Sequence, residues 1–595
     1  MKDAEMDWTL RTDPSGFQTR WSQALADRYL AEGHWTNTTL VDAARALLAA
    51  DPDHLLLIEG DTRLTRRECW DQALKLAGYF LSLGLVPGDV ISFQLPNWLE
   101  TGVIALAARM TGLVINPIPP IYRESELGYI LADCRSKLIF IPGTFRKYDH
   151  AAMLAGLRCE LPELRDVVVV RDAGELTWDM ALATAPADES ALPAVDPSSV
   201  MIVMYTSGTT AKPKGIFHTT GGYLTQAAYT HRVVFDIKPE TDVYWCTADV
   251  GWITGHSYIV YGPLMNGATQ VMYEGTPDTP HKGRIFELIE KYGVTILYTA
   301  PTLIRTWMKW GDEYPNKFNL SSLRLLGSVG EPINPEAWMW YREVIGGNRC
   351  PIVDTWWQTE TGGIMISPLP GVTATKPGSA MTAIPGISAV VVDDDANPVA
   401  KGHGGFLILD KPWPGMLRGV WGEDERYKET YWSRFKGIYF AGDGAKLDKD
   451  GAIWLLGRVD DVMNVSGHRI STTEVESALV SHEAVAEAAV VGAQDAMTGQ
   501  GIVAFVILRG GIAHASGEKL VTELRNHVAK EIGAIAKPRQ ILVVAELPKT
   551  RSGKIMRRLL KDVAENRQVG DATTLADPNV MKLISEGLNT SKDED

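Results

Sequence analysis

The chain has 595 residues, of which 45% are hydrophobic and 22% charged. That balance excludes a largely disordered polypeptide, and the length exceeds what one ordinary domain holds. Against 58 Lys and Arg stand 73 Asp and Glu, so the net charge is −15, a field that does not favour a general binder of nucleic acid or of anionic membranes. Any anionic ligand must be held by a local cluster of donors.

The first seven residues are acidic and lack an apolar stretch, so no secretory signal is expected there. A buried strand is predicted over 90–95, after the Pro87-Gly88 turn. Asn97 is placed to cap an Ala-rich helix ending near Thr111, and another strand is predicted over 112–115. This strand–helix–strand order predicts an α/β fold with parallel strands. The apolar run 102–115 is shorter than the roughly 18 residues a membrane span needs, and it carries Arg109. Residues 181–197, rich in Ala and Pro, read as a surface linker or insertion, and a strand over 200–205 follows.

The pattern changes near residue 460. Ser471-Thr472-Thr473-Glu474 is a capping-box pattern opening a helix over 475–479. Strands are predicted over 486–491 and 502–508, an amphipathic helix over 518–532, and a frayed polar tail over 586–595. The expected organisation is a large body of several subdomains with parallel-type sheets, residues 1–459, and a small α+β domain, residues 460–595. Cys69, Cys134, Cys159, Cys246 and Cys350 are far apart and form no CxxC pair, so neither disulfides nor structural zinc are expected, and a reducing cytoplasm fits.

The strand over 200–205 runs into Thr206-Ser207-Gly208-Thr209-Thr210-Ala211-Lys212-Pro213-Lys214-Gly215. Glycines expose backbone N–H groups, hydroxyls donate to phosphate oxygens, and lysines offset charge, so this loop is suited to phosphate. Its spacing is not that of a Walker A loop. A polar turn of the same composition is the competing reading; the density of donors directly after a strand favours phosphate.

With this loop the sequence resembles the AMP-forming acyl-CoA synthetases, within the superfamily of adenylate-forming enzymes that includes luciferases and peptide-synthetase adenylation domains. Six further segments agree in order. They are Val329-Gly330-Glu331-Pro332, Asp354-Thr355-Trp356-Trp357-Gln358-Thr359-Glu360-Thr361-Gly362, Tyr439-Phe440-Ala441-Gly442-Asp443-Gly444, Gly457-Arg458-Val459-Asp460-Asp461, Asn464-Val465-Ser466-Gly467-His468-Arg469 and Pro548-Lys549-Thr550-Arg551-Ser552-Gly553-Lys554. One departure is Ala211, where the family commonly has Gly.

The resemblance implies the adenylate-forming fold and a two-step reaction. A carboxylate attacks the α-phosphate of ATP to give an acyl-adenylate and pyrophosphate, and coenzyme A then displaces AMP. The first step joins two anions, so it needs placed positive charge more than a protein nucleophile. By resemblance, the loop from Thr206, Ser207, Gly208, Thr209 and Thr210 to Lys212 and Lys214 holds the β- and γ-phosphates. Gly330, Glu331 and Pro332 line the adenine, and Asp354, Thr355, Trp356 and Gln358 belong to the same nucleotide site. Asp443 accepts from the ribose hydroxyls, Arg458 also contacts the ribose, and Arg469 contacts the phosphates. Thr359 meets the α-phosphate and Glu360 holds Mg²⁺. Lys554 bridges the acyl carboxylate and the α-phosphate, although its basic run also suits a solvated face. Asp460 is the hinge about which the small domain turns between half-reactions, bringing Ser466 and Gly467 to the coenzyme A tunnel. Acetylation of Lys554 by a protein acetyltransferase, reversed by a deacetylase, is a further implication, because it removes the charge.

Trp357 bears on which acid is used. By resemblance it closes the end of an acyl pocket whose other walls are Ile253, Thr254 and Val329, and an indole there leaves room only for a short acid such as acetate or propionate. From about residue 200 onward the chain is most similar to acetyl-CoA synthetases. Residues 1–195 resemble instead the medium-chain, alicyclic or aryl acyl-CoA ligases, so the chain reads as a composite, and a ligase for a larger acid is the alternative. Lys137, Arg146 and Lys147 are candidates for the coenzyme A nucleotide, and Ala529 stands where some relatives carry an Arg for it. Val480, His482 and Val485 match positions of a structural Mg²⁺ site in acetyl-CoA synthetases; a helix-end cap is the competing role for His482. Small-molecule substrates are the expected partners; nucleic acid and membrane are not expected.

Overall fold

The structure, a computed structural model, describes residues 9–33, 35–206, 213–459, 462–465, 468–495, 499–509, 517–549, 555–565, 567, 575, 580–581 and 584. Two seven-stranded sheets dominate. The first runs in the order Asp166–Val170, Leu138–Pro142, Val90–Phe93, Val114–Pro117, Val200–Thr206, Lys214–Thr219, Gly419–Val420. Its first five strands are parallel and its last two antiparallel. The second runs Ile352–Asp354, Leu325–Ser328, Ile296–Thr299, Val243–Cys246, Thr269–Val271, Leu55–Glu59, Thr62–Thr65, and only its terminal hairpin is antiparallel.

The predicted order strand, helix, strand is present as Val90–Phe93, Glu100–Thr111 and Val114–Pro117. Every residue of that helix after Glu100 is buried, and it packs within a hydrophobic cluster that draws on both sheets, including Leu57, Ile91, Ile202 and Tyr244. A helix buried on all sides and largely apolar belongs in the middle of a core. Arg109 lies within it, 1% exposed, and burial lowers the pKa of its guanidinium.

Asn97 does not cap this helix. The N-terminal flanking residue is Leu99, without a side-chain bond. Asn97 instead donates to the Ala248 carbonyl at 2.7 Å and accepts from the Val250 N–H at 2.9 Å, so tertiary backbone groups outcompete the local cap. Outside the sandwich, Arg171 at the end of one sheet forms ion pairs with Glu59 of the other at 2.6 Å and with Glu100 at 2.8 Å, and its guanidinium lies 4.4 Å from the Trp98 ring. The stretch 181–197 is more tethered than a linker: Ala187 N–H bonds the Leu74 carbonyl, and Glu189 meets Arg45 and Trp70.

A third sheet, unforeseen, is antiparallel: Ala389–Val392, Gly404–Leu409, Tyr439–Leu447, Ile453–Arg458. The C-terminal residues make a separate sheet, in which Val485–Asp495 and Gln540–Val543 flank Gly499–Leu508, over hydrophobic clusters that contain no residue before Met463. The helix Thr472–Ser481 begins as predicted, but Ser471 makes no cap. Its hydroxyl donates to the Leu456 carbonyl at 2.6 Å, which spends the proton on tertiary structure. The tail 586–595 lies outside the described residues. Among the described residues no helix is long and apolar enough to cross a membrane.

Candidate active site

The ends of the second and third sheets bring the motifs together. Asp443 on Tyr439–Leu447 is the register partner of Arg458 on Ile453–Arg458. Gly442 has φ +75°, a conformation that suits Gly, and a Cβ there would stand 3.0 Å from the Arg458 guanidinium, which would have to shift slightly. Asp443 is buried, and its Oδ2 accepts from Trp356 Nε1 at 3.0 Å and from Gln358 Nε2 at 2.7 Å. Burial pushes the Asp443 carboxyl up, while the Arg458 charge and the two N–H donors pull it down. Gln358 also donates to the Ala441 carbonyl at 2.6 Å and accepts from Tyr439 at 2.8 Å. Residues 356 and 358 are thereby fixed against the third sheet.

Asp354 ends a strand of the second sheet, where burial pushes its carboxyl up to about 7. The next residue, Thr355, donates to the Ser328 carbonyl at 2.8 Å and shares a 2.7 Å bond with the Tyr298 hydroxyl. Gly330 turns with φ +102°, and beyond it Glu331 accepts from Arg305 at 2.9 Å and from Thr302, with Pro332 following. The Thr359 carbonyl meets His218 Nε2 at 2.8 Å. A carbonyl only accepts, so this nitrogen carries the proton, and burial holds the imidazole neutral down to about 4. Glu360 Oε1 accepts from the Tyr431 hydroxyl at 2.5 Å, and Lys214 Nζ donates to that hydroxyl at 3.0 Å. No bond to Glu360 Oε2 is found among the described residues, so this carboxylate fits a hard divalent cation bound together with substrate oxygens. His218 and Tyr431 lie outside the recognised motifs, and neither carries a sequence signal that separates it from an ordinary core residue.

The predicted acyl walls share one hydrophobic cluster: Val329 is buried in it, and Ile253 and Trp357 pack against it half-buried, with Thr254 beside Ile253. Trp357 donates from Nε1 to the Tyr298 hydroxyl at 3.3 Å and meets the Tyr258 ring nearly edge-on at 5.0 Å. It also packs against the cluster under the third sheet.

Several predicted residues are not brought into this arrangement. Ser207, Gly208, Thr209, Thr210, Lys212, Asp460, Ser466, Gly467 and Lys554 lie outside the described residues; Arg469 has its backbone on His468–Ser471 but no described side chain. Thr206 ends its strand at the entrance to the loop. Of the coenzyme A candidates, Lys137 is paired with Glu163, while Arg146 and Lys147 are the two positive-φ residues of the turn between Thr144–Phe145 and Tyr148–Asp149.

No Mg²⁺ is expected at the second site: the Val485 carbonyl accepts from Arg509 Nε at 3.0 Å, so a cation on that oxygen would have a guanidinium beside it. His482 accepts from Ala484 N–H on Nδ1 and turns Nε2 towards Glu523 at 3.4 Å, while its backbone N–H bonds the Leu479 carbonyl at the end of the helix that holds Val480. Replacing a monovalent salt by Mg²⁺ at matched ionic strength is expected to shift the thermal midpoints of the unsubstituted chain and of His482→Ala equally. A stabilisation by Mg²⁺ that His482→Ala abolishes would restore the site.

Two mainly parallel sheets and a small α+β unit, with the Asp354–Gly362, Tyr439–Gly444 and Gly457-Arg458 segments meeting at the sheet ends, are the architecture of an adenylate-forming enzyme. The chain belongs to the AMP-binding enzymes: their family model matches residues 44–421, and the model of the AMP-binding enzyme C-terminal domain matches 474–554. It is similar to the acetyl-coenzyme A synthetase of Streptomyces avermitilis, 59% identical over 549 residues that cover 90% of this chain and 84% of that one. The acetyl-coenzyme A synthetase of Rubrobacter xylanophilus is 50% identical over 552 residues, again 90% and 84%. Since only a tenth of this chain lies outside those alignments, the likeness extends well into residues 1–195, which the sequence alone set apart. Among solved structures, the anthranilate CoA ligase AuaEII in complex with anthranoyl-AMP is similar with a TM-score of 0.78 at 26% identity, over 89% of this chain and 98% of that one.

Proposed function

We propose that the chain is an acid–thiol ligase that activates acetate or propionate. A carboxylate oxygen attacks the α-phosphorus of ATP and the bond to the β-phosphate breaks, giving acyl-adenylate and pyrophosphate. The coenzyme A thiol, losing its proton, then attacks the acyl carbon, and AMP leaves with the bridging oxygen. The observation that carries the short-acid reading is the fixed indole of Trp357, held by Tyr298 and Tyr258 beside Ile253 and Val329. It occupies the volume that a longer chain needs.

In this reading Thr206–Lys214 takes the β- and γ-phosphates, Gly330-Glu331-Pro332 the adenine, and Asp443 with Arg458 the ribose. Thr359, Arg469 and Lys554 serve the α-phosphate, and Glu360 takes Mg²⁺. Mg²⁺ bound there supplies charge that offsets the phosphates. The body 1–459 and the domain 460–595 alternate about Asp460, and Ser466-Gly467 then lines the coenzyme A tunnel. A cytoplasmic enzyme is in keeping with five free thiols, four of them buried. Acetylation of Lys554 would switch off the first half-reaction.

The test is pyrophosphate release across acetate, propionate, hexanoate and benzoate, with and without coenzyme A. Acetate and propionate are expected to lead, with thioester formed only when coenzyme A is present. Preference for hexanoate or benzoate over propionate overturns the short-acid reading. Asp443→Asn tests the ribose role: losing a charged acceptor costs about 2 kcal/mol, so ATP is expected to bind roughly 30-fold more weakly by calorimetry. Unchanged affinity removes Asp443 from the ribose.

A further inference from the structure

Glu360 and Lys214 come from motifs far apart in sequence, and a residue outside those motifs joins them. Tyr431 lies on the helix Asp424–Trp432. Its hydroxyl is 2.5 Å from Glu360 Oε1 and accepts from Lys214 Nζ at 3.0 Å. The ring is buried and stacked on Tyr439 at 5.7 Å and 13°, and the Lys214 ammonium also lies 5.0 Å from its centroid. Tyr439 is itself fixed by its 2.8 Å bond to Gln358. A phenol has one proton to give. Here it goes to the carboxylate, and the ammonium supplies the other bond, so the chain has one direction: Lys214 to Tyr431 to Glu360.

We propose that Tyr431 is a positioning residue for the adenylation half-reaction, holding Glu360 in the rotamer that meets a divalent cation and keeping Lys214 beside it until a nucleoside triphosphate takes the ammonium over. This rests on the reading of Glu360 given above. A donor that bonds a carboxylate ligand from behind orients it and tunes its affinity for metal. The ring alone is core packing, and Phe would preserve it; only the hydroxyl connects the two charged groups.

Tyr431→Phe separates the two contributions. Mg²⁺ is titrated against the full chain with α,β-methylene ATP, which cannot be cleaved, and binding is followed by calorimetry. The half-saturating Mg²⁺ concentration is expected to rise about tenfold, as for loss of one outer-sphere partner. KM for ATP in pyrophosphate exchange is expected to rise with it, while thioester formation from supplied acetyl-adenylate and the thermal midpoint stay as in the unsubstituted chain. In a Glu360→Gln background Tyr431→Phe is expected to add nothing. An unchanged Mg²⁺ titration in Tyr431→Phe overturns the proposal when Glu360→Gln does shift it. If Glu360→Gln leaves the titration unchanged as well, the metal role of Glu360 falls, and the proposal with it. Equal loss in both half-reactions, with a lowered thermal midpoint, overturns the proposal in favour of packing alone.

Discussion

Lys554→Ala is expected to lower ATP–pyrophosphate exchange on the order of 10³-fold while leaving thioester formation from supplied acetyl-adenylate within about twofold. The size follows from charge. In the first half-reaction a carboxylate approaches an α-phosphate, and a lysine ammonium about 4 Å from the developing charge at an effective dielectric of about 20 is worth about 4 kcal/mol. That corresponds to three powers of ten. In the second half-reaction the attacking thiolate meets an acyl carbon already activated by AMP, and a cation delivered for the first step has no part in it. Normal exchange by Lys554→Ala would remove the residue from the reaction. Unchanged exchange after stoichiometric acetylation of Lys554 would in turn exclude regulation at that position.

Trp357→Gly is expected to open the acyl pocket. Hexanoate has four methylenes more than acetate, and at about 0.8 kcal/mol each a fully buried chain gains about 3 kcal/mol, so kcat/KM for hexanoate should rise roughly 100-fold while that for acetate falls. The substitution carries a cost in the fold. Trp357 is half-buried, and truncating it leaves a cavity and removes a donor from Tyr298, for a loss of about 2 kcal/mol. Tyr298 keeps its bond to Thr355, so its hydroxyl is not stranded. Steady-state kinetics on both acids, with a thermal melt, check the prediction. Hexanoate remaining unused by a folded Trp357→Gly would show that the indole does not limit the pocket.

The first half of the fold was readable because its signals are local. Short apolar runs, Gly and Pro punctuation and an Ala-rich helix give the strand–helix–strand order of Val90–Phe93, Glu100–Thr111 and Val114–Pro117 directly. The third sheet was not, since glycines interrupt three of its four strands and none alternates cleanly between apolar and polar residues. Two caps failed in a common way: Asn97, two residues before the actual flanking residue, and Ser471, at it, have capping side chains, but distant backbone groups claim them. At the site, the motifs were legible one by one through their family likeness. Their meeting was not, because Asp443 bonds partners 87 and 85 residues earlier in the chain. Tyr431 was invisible for a further reason. Beside Tyr427 and Trp432 it is one aromatic among three, and only the fold shows that its hydroxyl reaches an acid.

Trp357 packs at once against the cluster between the two large sheets and the cluster under the third. Under the function proposed above, one side chain is therefore both the gauge of the substrate and a rivet between layers. A lineage of such enzymes could not drift gradually towards longer acids by eroding this residue, because each step that widens the pocket also loosens the joint. Breadth of diet would have to follow, not precede, surplus stability gained elsewhere in the chain.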